Sequence, residues 1–165
     1  MMVAVLFLCG CQTDEKARSG KKIGAMRVHI ETTPGPEGTS QTISVLRSDP
    51  VAVVIAPDPV LTEANLISAK IIESPGGFAV EVQFDESGTW TLEQFTAANP
   101  GLHLAIYGQW GDKLANGRWL AAPLITRRID SGVLSFTPDA SRDEAEQFVL
   151  GLNNVAKKIQ KGLLK

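Results

Sequence analysis

Cysteine is nearly missing from this chain: 165 residues hold two, Cys9 and Cys11, both close to the N-terminus. That excludes a disulfide framework, and a lone C-x-C pair offers two ligands where a structural zinc takes four. Histidine is as scarce, with only His29 and His103, and H-E-x-x-H, G-x-S-x-G and Walker motifs are all lacking. A net charge of -2 leaves no basic surplus of the kind that marks nucleic-acid binding. No apolar run approaches the roughly 20 residues of a membrane-spanning helix. What is present is a globular balance, 44% hydrophobic and 21% charged, in a length that suits one domain with a real core.

The opening run, Met2 to Gly10, is uncharged and mostly apolar. Its length fits the apolar region of a signal peptide, about 7–15 residues. No Lys or Arg precedes Val3, which a translation start a few residues upstream explains. Leu8-Cys9-Gly10-Cys11 resembles a bacterial lipobox, with a Leu three places before the cysteine and a small residue directly before it. The resemblance implies that residues 1–10 leave as a signal peptide together with Cys9. Cys11 then becomes the lipidated first residue, carrying acyl chains such as palmitate. The alternative is a buried N-terminal strand with an incidental C-x-C pair. Residues 11–25 read as a flexible tether. Its cations Lys16, Arg18, Lys21 and Lys22 read as a solvated linker rather than a lipid-binding patch. Gln12 stands where an Asp retains enteric lipoproteins in the inner membrane, which slightly favours the outer membrane.

The domain is expected over residues 26–165. Strand signals cover Met26 to Thr33, Gln41 to Arg47, Val51 to Ala56 and Ala69 to Glu73. In GFAVEVQF, Phe78, Val80, Val82 and Phe84 share one face, the period of a half-buried strand. Asp85 to Gly88 reads as a turn and Thr89 to Ala98 as a helix stopped by Asn99-Pro100-Gly101. Leu102, Leu104 and Ile106 alternate in a further strand. Asn116-Gly117 is a hairpin turn signal that places Leu114 opposite Trp119. Trp119 to Arg127 and Val133 to Thr137 complete the strands. Ser141-x-x-Glu144 is a capping box opening a helix whose stripe runs Ala145, Phe148, Val149, Leu152, Val155, Ala156, Ile159. The order implies an α+β fold: a mostly antiparallel sheet with two main helices packed on one face.

Catalytic chemistry is hard to assemble from these residues. Both histidines alternate with apolar neighbours inside expected strands and read as sheet residues. Gly76-Gly77 precedes a strand rather than a helix, so it makes no usual phosphate cradle. Ser87 and Ser131 have no identifiable base. The expectation is therefore no enzyme, no catalytic residue, no metal and no cofactor. Two tryptophans in YGQWGDKLANGRWL are the oddity. Tyr107, Trp110 and Trp119 are the candidate partner-binding residues, as an exposed aromatic patch. Plain packing of large apolar rings is the competing reading.

Beyond these local signals, the stretch from Pro59 to Leu152 resembles the head subdomain of the first periplasmic domain of SecD and SecDF, membrane components of bacterial protein export. The likeness runs through Leu61-Thr62, then Val80-x-Val82-x-Phe84-Asp85-x-x-Gly88, Phe95-Thr96 and Asn99-x-Gly101. It continues in Leu104-Ala105-Ile106, Ala122-Pro123-Leu124-Ile125, Ser131-Gly132, Phe136-Thr137 and Glu144-Ala145. It implies an α+β head fold that contacts polypeptide on the periplasmic side of a membrane, with exported chains or translocon and envelope proteins as partners. The hairpin between Ile106 and Ala122 is longer than the family's, and the chain offers no intramembrane proton relay. The resulting expectation is a lipid-anchored binding module connected with export; the alternative is a structural or assembly lipoprotein of the cell envelope.

Overall fold

The computed structural model describes residues 22–163, so Cys9, Cys11 and most of the expected tether lie outside the described residues. Nine strands and two α-helices follow in order: β1 Ile23–Ile30, β2 Gln41–Val45, β3 Val51–Ile55, β4 Leu61–Thr62, β5 Leu66–Ser74, β6 Gly77–Phe84, α1 Glu86–Ala98, β7 Leu104–Gly111, β8 Asn116–Ala121, β9 Val133–Phe136 and α2 Arg142–Gln160. The α+β architecture with antiparallel pairing is as expected. Its strands divide among three sheets, ordered β4-β1-β7-β8, β5-β6-β9 and the two-stranded ribbon β2-β3.

Alternation decides which face of each strand is buried. In β1, Met26, Val28 and Ile30 enter the main core, and in β6 Val80, Val82 and Phe84 do the same. Helix α2 lies across β1, β5 and β7 and closes this core with Ala145, Phe148, Leu152 and Ala156. Val155 and Ile159, expected on the same stripe, are only partly covered. Full burial of a ring such as Phe148 is worth about 3 kcal/mol. The helix crosses β1 at two glycines. A Cβ on Gly151 would lie 2.6 Å from the Gly24 nitrogen, and one on Gly24 would lie 2.8 Å from the Leu152 nitrogen. Only glycine permits that approach.

The capping box forms as expected: the Ser141 hydroxyl accepts from the Glu144 amide, and the Glu144 carboxylate accepts from the Ser141 amide at 2.8 Å. Three boundaries differ from the sequence reading. Strand β1 begins at Ile23, inside the stretch assigned to the tether, because pairing with Gly111 extends its ladder. Helix α1 starts at Glu86, because Asp85 caps it by accepting the Gly88 amide at 2.7 Å. Strand β8 ends at Ala121, before the Pro123 that lacks a ladder donor.

The β7–β8 hairpin also turns elsewhere. Its reversal is a short 3-10 turn over Asp112–Leu114, with Lys113 and Leu114 in the left-handed region at φ 54° and 59°. Asn116 and Gly117 lie inside β8, opposite Trp110 and Gln109. Gly117 makes room beneath an aromatic ring, since a Cβ there would meet the Tyr107 hydroxyl at 2.6 Å. Trp119 consequently sits across from Tyr107, not Leu114.

Candidate functional site

The residues proposed as an aromatic patch separate in three dimensions. Trp110 points inward and is 2% exposed, packed edge-on against Phe148 with ring centroids 6.1 Å apart. It does not reach the surface, so it is corrected from partner-binding residue to core residue. The reason is strand parity: Leu104, Ile106, Gly108 and Trp110 share the inner face of β7, and Tyr107 lies on the other. Tyr107 and Trp119 remain half-buried on the outer face, in edge contact at 5.1 Å, with His29 set edge-on to Trp119 at 5.3 Å.

The β2–β3 ribbon lies on this outer face. Ile43, Val45, Val53 and Ile55 turn toward Ala105, and Trp119 and Ala122 pack against that cluster. A two-stranded ribbon is marginal alone, so its position depends on ties to the rest. At its root Thr32 donates to the Val54 carbonyl at 2.8 Å and Ala56 to the Ile30 carbonyl at 3.0 Å. At its tip Arg47 donates to the Asp139 carboxylate through its amide at 2.8 Å and its Nε at 3.2 Å. Beside that tip Leu46 is held at φ 68°, a conformation costly for a leucine.

Between the ribbon and the chain from Ala121 to Pro123 lies a cleft of about 400 Å³. Val45, Leu46, Val51 and Val53 form one wall, and Ala121, Ala122, Pro123 and Phe136 form the other. Leu46 and Val51 stand at its rim, 44% and 49% exposed. Volume and lining suit an apolar side chain or short segment.

Polar chemistry in the cleft is sparse. His103, in its wall, bonds through Nδ1 to Glu31 Oε2 at 2.6 Å, and the same oxygen accepts the His103 amide at 2.8 Å. His29 is buried with Nδ1 2.9 Å from the Ala56 carbonyl oxygen. A histidine–carboxylate pair is part of a general-base device, which also needs a nucleophile in reach. Among the described residues no hydroxyl or thiol bonds either ring. Nor does any group of three or more His, Cys, Asp or Glu stand where it could hold a metal ion. No helix of the described residues is long and apolar enough to cross a membrane.

The sequence reading passed over Trp90, which is 63% exposed beside Asp85, Glu86 and Ser87. Helical spacing carried the signal. Gly88, Leu92 and Thr96 form the buried stripe of α1, and position 90 falls about 200° from position 92. Leu46 and Val51 fall within the expected strands Gln41 to Arg47 and Val51 to Ala56, where alternation alone does not mark them as exposed.

The sequence profile of the SecDF P1 head subdomain matches residues 40–156, from the ribbon through most of α2. The chain belongs to the SecDF P1 head family. Two solved SecDF structures share this fold. One is described as a membrane component that enhances protein export; it is 22% identical, with a TM-score of 0.57, over 90% of this chain and 72% of its own. The other, a crystal structure of SecDF in a super-membrane-facing form, is also 22% identical with a TM-score of 0.57. It is matched over 88% of this chain, which spans only 21% of its length. No curated protein matches in sequence. Within this SecDF head, β1 lies N-terminal to the matched stretch yet sits between β4 and β7 in the sheet.

Proposed function

We propose that this SecDF P1 head protein is a non-enzymatic module, lipid-anchored through Cys11 on the periplasmic side of a bacterial membrane, that binds extended polypeptide in connection with protein export. The observation that carries the binding reading is the cleft under the β2–β3 ribbon, apolar in its walls and rimmed by exposed Leu46 and Val51. Exposed apolar side chains beside an apolar cleft make a contiguous surface of the kind that marks interaction sites. Tyr107 and Trp119 flank the same apolar cluster and extend the surface offered to a bound chain. The lipobox resemblance supports the anchor, and the family match supports the connection with export.

Titration with a reduced, unfolded polypeptide rich in apolar side chains tests the binding site. Leu46→Asn with Val51→Thr weakens binding about tenfold, on the scale of about 1.4 kcal/mol. Asn tolerates the left-handed backbone at position 46, so the fold persists. Unchanged affinity would exclude the cleft. Incorporation of a fatty-acid analogue into the wild type, lost in Cys11→Ala, tests the anchor. Co-purification with translocon subunits supports the export connection; capture of envelope scaffold proteins alone supports the assembly reading.

A further inference from the structure

We propose that the end of the domain where β1 begins is a docking surface for an anionic lipid bilayer. The proposal deepens the anchored reading and rests on it for the direction of approach, but not for the attraction itself. The residues 22–163 contain six lysines, Lys22, Lys70, Lys113, Lys157, Lys158 and Lys161. Lys70 is spoken for by Glu81 at 2.7 Å. The other five take part in no ion pair among the described residues, and the fold gathers them at one end.

Two contacts and the spacing along α2 place these lysines toward one end. The Lys22 carbonyl accepts from Asn154 Nδ2 at 3.0 Å, which fixes the start of the domain on the C-terminal half of α2. Lys158 and Lys161 follow Asn154 at positions i+4 and i+7, on the same helix face. Ile23 pairs with Gly111, so the Asp112–Leu114 turn that carries Lys113 lies beside the same strand end. Aliphatic side chains accompany the cations. Ile67 is 45% exposed and Leu163 69%. Both belong to this end, since Gln160 Nε2 donates to the Ile67 carbonyl at 3.2 Å and the Leu163 amide to the Lys158 carbonyl at 2.9 Å.

Asp112, in the turn with Lys113, and Glu63, which accepts the Met26 amide at 2.9 Å, each keep a negative charge near this end, but the five lysines outnumber them. A chain of net charge -2 thus presents a cationic, aliphatic-studded end. Helix-dipole complementarity accounts for Lys157 and Lys158 on α2, but not for Lys113 on a different element. From Gln12 to Lys22 a fully extended chain spans about 40 Å at most. An anchor at Cys11 therefore holds the domain within about 40 Å of the bilayer, with the tether joined to this end. Surface attraction acts within a Debye length, about 8–10 Å, so the end must touch the headgroups. Lysine ammonium groups suit lipid phosphates, and Leu163 and Ile67 suit the interface beneath them.

Sedimentation with vesicles tests this, using the full chain with Cys11→Ala so that no acyl group contributes. Binding is expected to vesicles of phosphatidylglycerol mixed with phosphatidylcholine, weaker with added salt, and not to phosphatidylcholine alone. Lys157→Gln, Lys158→Gln and Lys161→Gln together weaken it about 100-fold, at roughly fivefold per lysine. Lys113→Gln alone weakens it about fivefold without altering a helix. Arg127→Gln, in the loop at the opposite end of the sheet, leaves it unchanged. Equal sedimentation with both lipids, or variants that bind as the parent does, overturns the docking surface. Acylation of Cys11 is read separately, so loss of either result leaves the other standing.

Discussion

The Arg118 guanidinium lies 4.9 Å from the centroid of the Trp110 ring and donates to the Glu144 carboxylate. One cation thus joins the outer hairpin strand to the first turn of α2 and covers a buried indole. Its Nε is buried without a partner, so the cation–π contact and the Glu144 bond hold the side chain in place. This arrangement explains why a tryptophan in a long, polar hairpin belongs to the core.

Trp110→Ala should destabilise the protein by about 3–5 kcal/mol, because a buried ring is removed from beneath α2. Trp90→Ala, on the exposed side of α1, should change stability by less than about 0.5 kcal/mol. Urea unfolding of the two variants measures the contrast. A similar midpoint for both would place Trp110 wrongly.

Acid should weaken the α2 N-terminus. The Ser141 amide, with help from Arg118, holds the Glu144 carboxyl below its ordinary value of 4.5 against an opposing push from burial. A carboxyl depressed in the folded state contributes stability that is complete above its unfolded pKa and lost as pH falls through the folded value. The loss therefore lies below about pH 4.5. Unfolding midpoints against pH should fall less steeply in that window for Glu144→Gln, and an unaltered slope would assign the acid sensitivity elsewhere.

Asp139→Ala should release the tip of the ribbon. The Arg47 side chain is 59% exposed, so the ion pair adds about 1 kcal/mol or less to global stability. Locally the loss is larger, because Asp139 also accepts the Arg47 amide. Amide hydrogen exchange over Val51–Ile55 should accelerate while that of β6 stays constant. Uniform change, or none, would show that the tip does not govern the ribbon.

Gly151→Ala should cost about 3 kcal/mol by forcing α2 off β1. Alanine usually strengthens a helix by about 1 kcal/mol over glycine, so a net loss reports the close crossing. Thermal unfolding decides the sign.

Much of this was legible in the residues. The capping box, the acids and lysines at the two ends of α2, and the alternation of GFAVEVQF are local patterns, and each formed as written. So was the family, because its signals recur in order over a long stretch. The site was less legible. Asn116-Gly117 satisfies a turn rule, but the pairing of Trp110 with Asn116 moves the reversal back to Asp112–Leu114. The exposed Leu46 and Val51 belong to a ribbon whose tip is bonded to Asp139, a residue 92 positions away from Arg47.

By itself the sequence determined most of the elements, the Ser141 cap, the α+β class and the family, since these follow from contacts a few residues apart or from patterns carried in order. Tertiary structure alone decided that nine strands split into three sheets, that Trp110 goes in while Trp119 stays half out, and that a cleft opens under the ribbon. It also decided that the start of β1 lies beside both the C-terminal half of α2 and the Asp112–Leu114 turn. These outcomes depend on register and on side chains far apart in the chain, and a one-residue shift of register reverses every face.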